Sequence, residues 1–220
     1  MLGQSISRNS LLLGLFAVVT TVLIAGTYLA TRDRITAAQR QAEEKALLEI
    51  VPDERHDNNM LDDTVTIAAG ALGLKQGKPA YIARQGREAV AIILPATAPD
   101  GYSGAIELIV GVNRDGSVAG VRVLNHRETP GLGDKVELNK SDWVLGFNGR
   151  SLEKPAAENW AVKKDGGAFD QFTGATITPR AVVAATKGAL EYARAHHDSL
   201  FADAGAAEGS AAHSHDQGAE

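Results

Sequence analysis

The chain has 220 residues, a net charge of −5 and no cysteine. That length suits one membrane anchor followed by a globular domain of ~150 residues. The mild acidity, with no basic patch interleaved with aromatics, speaks against nucleic-acid binding; the missing thiols exclude disulfides, cysteine-ligated iron–sulfur clusters, thiolate zinc sites and a thiol nucleophile.

Residues 1–10 form a short N-terminal segment carrying Arg8. Leu11 to Ala30 then runs without a charge, and at 1.5 Å per residue it matches a hydrocarbon core of ~30 Å. The stretch is long for the apolar region of a cleaved signal peptide. Tyr28 and Leu23 also spoil the small-residue positions that cleavage before Thr31 or Gly26 would need. The run therefore reads as an uncleaved anchor. Arg8 before it and Arg32 and Arg34 after it leave the orientation unset by charge. Residues 31–52 read as a helical stalk, with Ile35, Ala38, Ala42 and Leu47 near one face and Pro52 as its stop.

Residues 53–203 read as the globular domain, opening on a polar loop from Asp53 to Asp63. Strand-like stretches follow at Thr64–Ala69, Tyr81–Arg84 and Glu88–Ala96, with a turn at Gln85-Gly86-Arg87. The clearest hairpin joins Ile106–Asn113 to Ser117–Leu124 through Arg114-Asp115-Gly116. Residues 134–150 are expected to be irregular with a short helix, Trp143 and Phe147 forming a satellite of the core. A partly buried amphipathic helix is expected from about Arg180 to Leu200, with Thr178 as its N-cap and Pro179 at its first position. Residues 204–220 read as a disordered low-complexity tail, and His213 and His215 there as solvated. Helix, strands, then helix imply an α+β domain with a twisted antiparallel sheet and flanking helices, preceded by one transmembrane helix.

Two stretches carry chemistry. Asp170-Gln171-Phe172-Thr173-Gly174-Ala175-Thr176-Ile177-Thr178 is a small-residue turn with three hydroxyls directly before the last helix. Free N–H groups and the positive dipole end favour a phosphate at such a place, and Gly174 and Ala175 leave room for a bulky group. Earlier comes Glu128-Thr129-Pro130-Gly131-Leu132-Gly133, a tight turn. Its backbone could bond the edge of a flat ring, Glu128 and Thr129 add polar side chains, and Leu132 offers an apolar contact. Gly131-Leu132-Gly133 is not a dinucleotide fingerprint, because Val136 stands where the next glycine belongs. His126, just upstream, reads as a structural neighbour rather than a base. There is no nucleophile–base set, metal cluster or P-loop in the pattern.

Together with Gly101-Tyr102-Ser103-Gly104, these stretches resemble the covalent FMN-binding domain family. Its members are RnfG, of the Rnf ion-translocating electron-transport complex, and NqrC, of the sodium-translocating NADH:quinone reductase. The short chain without large insertions is more similar to the first. The resemblance implies FMN held through a phosphoester on Thr176, with Asp170, Thr173, Gly174, Ala175 and Thr178 around it, and Glu128, Thr129, Gly131, Leu132 and Gly133 beside the isoalloxazine. It also implies a flavin transferase that takes FMN from FAD, partner subunits in the bacterial inner membrane, a cytoplasmic N-terminus and a single-pass topology with the domain in the periplasm. In that reading the chain is a one-electron station with no substrate site of its own. The alternatives are the NqrC component of the quinone reductase and a membrane-anchored assembly or binding protein with a vestigial motif.

Overall fold

The computed structural model describes residues 2–202; the tail expected to be disordered, with His213 and His215, lies outside them. A long helix, α1, runs from Leu2 to Leu48 without a break. The charge-free run and the following polar stretch are thus one helix, and it stops four residues before Pro52, in a turn where the N–H groups of Ile50 and Val51 both bond the Leu47 carbonyl. Among the described residues this is the one helix long and apolar enough to cross a membrane. Its large apolar side chains from Leu11 to Leu29 all stand in the open. A helix apolar on every side needs lipid or protein around it.

From residue 46 onward the chain builds a second compact unit. Five strands, β1 (Thr64–Ile67), β2 (Lys78–Gln85), β3 (Glu88–Ala98), β4 (Ile106–Asn113) and β5 (Val118–Asn125), form an antiparallel meander in sequence order. The hairpin over 106–124 is where the sequence puts it; β2 and β3 run further than their apolar cores suggest. Pro79 and Pro95 have no N–H to give the ladder, and the β2–β3 pairing stops short of them at Tyr81 opposite Ile93.

Side chains alternate across the sheet, as a pleated strand requires. Ile92, Leu94 and Ala96 of β3, with Leu108, Val110 and Val112 of β4, face the main core. There they meet α2 (Ile177–Ala195) through Val182, Val183 and Leu190. Ala91, Ile93 and Ile109 face the other way, onto Leu47, Ile50, Val51 and Met60. The alternation expected along β5 is broken by a register shift at Gly111/Val112. Val118 and Val121 therefore share the main core, while Ile50 sits over Gly111 and Gly120 on the opposite side. A short helix α3 (His197–Leu200) follows α2.

Between β5 and α2 the chain makes short 3-10 turns, among them Gly133–Val136 and Asp142–Phe147. They are pinned by an aromatic cluster. Phe147 stacks on Phe169 at 4.8 Å and on Trp160 at 6.2 Å, and Trp143 meets Phe147 and Phe172 edge-on at 5.2 Å each. Phe147 is fully buried in the main core rather than in a satellite; only Trp143 is half-exposed.

Candidate functional site

The hydroxyl-bearing loop is held from both ends. Upstream, Phe172 is buried against Trp143, whose indole N–H donates to the Asp170 carbonyl at 2.8 Å. The Asp170 carboxylate reaches Lys163 at 2.6 Å, and the Gln171 side chain accepts the Lys164 N–H at 3.2 Å. The Ala175 N–H then closes a turn onto the Phe172 carbonyl at 3.1 Å, with Gly174 at φ 82° as its left-handed member. That turn leaves Thr173 and Gly174 exposed and Ala175 and Thr176 half-buried.

The start of α2 differs from expectation. Thr176, not Thr178, stands at the N-cap, and its carbonyl accepts the first helical bond from Arg180 at 3.2 Å. Its own φ/ψ is helical and its hydroxyl makes no capping hydrogen bond, so that oxygen is left for other work. Thr178 lies inside the first helical turn, fully buried. Its hydroxyl is spent on a hydrogen bond to the Glu128 carboxylate, which is why it cannot serve as a cap. Pro179 falls at the third helical position, where an N–H would lack an intrahelical partner in any case. Arg180, unfavourable near a positive helix end, is offset by a two-pronged pair with Asp165 at 2.7 and 2.9 Å. The Arg180 hydrogen bond holds the Asp165 carboxyl below its ordinary value.

The Glu128–Gly133 turn docks on this helix start. Glu128 is 5% exposed. One of its oxygens accepts the Ser103 N–H at 2.9 Å, the other the Thr178 hydroxyl. Its own N–H donates to His126 Nδ1 at 3.0 Å, and His126 Nε2 lies 2.6 Å from Glu137 Oε1. With Nδ1 accepting the Glu128 N–H, Nε2 is the ring nitrogen that donates to Glu137. The Thr129 carbonyl accepts the N–H groups of Leu132 and Gly133 at 3.1 Å each. The two glycines serve different needs. Gly131 takes φ 77° with open space around it; Gly133 is buried, and a Cβ there would lie 2.8 Å from Thr178 Oγ1 and 2.9 Å from Glu128 Cβ. Thr129, Pro130 and Leu132 are all open to solvent, while Glu128 at the head of the turn is buried.

Sequence reasoning placed both stretches at the site but not the joint between them. Ser103, His126, Glu137 and Trp143 act through backbone or second partners, which spacing does not reveal. Asp134 was also unassigned: it is 8% exposed, and its Oδ1 is a buried side-chain atom without a partner among the described residues. Two cavities of about 420 and 320 Å³ border α2 and contain none of the residues assigned from sequence.

The FMN-binding domain family matches residues 101–191, which include both stretches, and the RnfG N-terminal region matches residues 1–50. The ion-translocating oxidoreductase complex G subunit from Pseudomonas aeruginosa (strain UCBPP-PA14) is 56% identical over 200 residues, 90% of this chain and 94% of that protein. The Shewanella loihica protein of the same name is 52% identical over 199 residues, covering 90% and 94%. The one from Vibrio vulnificus is 44% identical over 198 residues, again covering 90% and 94%. Among solved structures, NqrC of Shewanella oneidensis aligns with a TM-score of 0.41 at 22% identity, over 61% of this chain and 65% of that one. With the anchor region and the FMN-binding region both matched, and relatives similar over nearly their whole length, the chain belongs to the RnfG family of ion-translocating oxidoreductase complexes.

Proposed function

We propose that the chain is a membrane-anchored flavoprotein that carries FMN, bound covalently through Thr176, as an electron-transfer station of the Rnf complex. The observation that carries this reading is the start of α2: Thr176 at the N-cap with an uncommitted hydroxyl, next to an exposed Gly174. The residues present fit FMN. Around Gly174 and Gly131 there is open space. The first N–H groups of α2 have no intrahelical partners and suit a phosphodiester with one remaining negative charge. The buried, unpartnered Asp134 Oδ1 is an acceptor that a ring N–H or ribityl hydroxyl would satisfy.

FMN, when bound, supplies the redox chemistry. The chain's residues hold and orient it. Thr176 forms the tether, and the helix start solvates the phosphate. The backbone of the 128–133 turn faces the ring, with Leu132 exposed beside it. The burial of Thr178 and its bond to Glu128 speak against it as the tether. Attachment requires a flavin transferase using FAD. The Thr176 oxygen attacks the flavin-side phosphorus, the pyrophosphate P–O bond breaks, adenosine monophosphate leaves, and the hydroxyl proton passes to solvent. Asp170 to Ala175 is the segment the transferase would read. Other subunits of the complex pass and receive the electrons. The single span lies within Leu11–Ala30, and the domain is periplasmic; a reporter fused after Ala202 should be active only if it works outside the cytoplasm.

The deciding experiment is the intact mass of the full chain from a host with the transferase, with in-gel flavin fluorescence. Wild type should gain the mass of FMN less water, and Thr176→Ala should gain none while keeping its fold, since one hydroxyl without a partner contributes little to stability. Flavin persisting in Thr176→Ala, or mapping to Thr173, refutes the tether. Wild type without flavin refutes the reading.

A further inference from the structure

Three segments of the chain meet at one buried carboxylate, and each carries a large apolar side chain in the open. Glu128 accepts the Ser103 N–H and the Thr178 hydroxyl, and its own backbone begins the 128–133 turn. Beside Ser103 stands Tyr102, 68% exposed; beside Thr178 stands Ile177, 41% exposed; and Leu132, 43% exposed, flanks Gly133, which abuts the Glu128–Thr178 pair. These side chains are exposed, while Glu128, Thr178 and Gly133 beside them are buried.

We infer that Glu128 is a positioning residue, which through Ser103 and Thr178 sets the spacing of Tyr102, Leu132 and Ile177 as an apolar seat for the isoalloxazine ring. The inference rests on the FMN reading above and deepens it. Both Glu128 oxygens are committed to the protein, so the carboxylate acts on the ring only through the segments it ties together. His126 and Glu137 back it by fixing the Glu128 N–H. The seat fits a flat, largely apolar ring: one aromatic face and two branched aliphatic contacts, with turn backbone alongside.

The test uses the full-length, flavin-loaded chain. Glu128→Leu, which removes both acceptors, Thr178→Val, the double variant and Thr178→Ser are compared by visible-region circular dichroism and flavin midpoint potential, with covalent loading and thermal midpoint measured in parallel. Loss of the clasp should weaken the visible dichroism and move the potential in the same direction in Glu128→Leu and Thr178→Val. The double variant should go no further than either single one, and Thr178→Ser, which keeps the donor, should behave as wild type. A lower thermal midpoint with unchanged dichroism and potential would make the clasp merely structural and overturn the inference. So would a potential shift in Glu128→Leu that Thr178→Val does not share, because the carboxylate would then act on the ring directly. Tyr102→Leu alters an exposed residue and does not threaten folding; native-state flavin fluorescence should rise as the quenching phenol is removed, and no change would also refute the seat. Wild type that never acquires flavin sinks the FMN reading itself; loaded protein that is insensitive to all these changes sinks only the seat.

Discussion

Gly133→Ala is the sharpest stability test of the joint between the two motifs. The added methyl would lie 2.8 Å from Thr178 Oγ1, 2.9 Å from Glu128 Cβ and 2.9 Å from Glu128 Oε2. All three atoms belong to buried side chains that bond one another, so none can swing aside into solvent. Overpacking of this kind costs about 1–3 kcal/mol. If the relief is a broken Glu128–Thr178 bond, a buried group left without its partner adds about 1–3 kcal/mol. A total near 3 kcal/mol corresponds to roughly 6–12 °C in the melting midpoint of a domain this size. Gly131→Asn is the control: that position needs a left-handed φ but has room, and Asn tolerates that conformation. Urea unfolding of the flavin-free chain in detergent, followed by tryptophan fluorescence, would measure both. The chain's two tryptophans, Trp143 and Trp160, lie in the aromatic cluster that holds the loop. Equal losses in the two variants, or a Gly133→Ala protein within about 0.5 kcal/mol of wild type, would refute the steric argument.

Two further outcomes follow from other parts of the domain. Gly111→Ala would bring its methyl to 2.3 Å from Ile50 Cγ2 and should cost about 1–3 kcal/mol; combined with Ile50→Ala, the loss should fall short of the sum by about 1 kcal/mol in a double-mutant cycle, and strict additivity would count against the contact. Asp165, held below its ordinary value of 3.8 by the Arg180 hydrogen bond, contributes stability that is present above the unfolded pKa and is lost as pH falls through the lower folded one. The urea-midpoint gap between wild type and Asp165→Asn should therefore be flat near neutrality and close below 3.8; a gap that widens in acid would contradict the pairing.

The hairpin around Gly116 was legible because two apolar stretches flank a short Gly-containing turn, which leaves little choice of partner; the register shift at Gly111/Val112, which breaks the alternation of β5, leaves no mark in the sequence. The positions of both motifs were legible for a related reason: small residues and hydroxyls in place of bulky apolar ones mark surface that packing does not use. The start of α2 was misplaced because Thr178 and Pro179 are strong local signals for a cap and a first position. A tertiary contact outweighs them: the Glu128 carboxylate claims the Thr178 hydroxyl, and the helix begins two residues earlier. The end of α1 was missed for the mirror reason. Pro52 is an obvious stop, yet burial of Leu47, Ile50 and Val51 bends the chain before it is reached. Long-range partners such as Ser103 for Glu128, or Trp143 for Asp170, leave no periodic trace at all.

The burial of Leu47, Ile50 and Val51 against the sheet bears on how the domain can be released. A cut at residue 53, where the polar loop begins, would strip away all three side chains. At about 1.5–3 kcal/mol each, their removal forfeits roughly 5–9 kcal/mol, comparable to the whole stability of an ordinary domain. It would also bare Tyr81, Ile93 and Ile109, which they cover. Proteolysis between residues 31 and 45 should shed a soluble, folded flavoprotein, whereas nicking between residues 49 and 53 should yield a fragment that aggregates or is degraded.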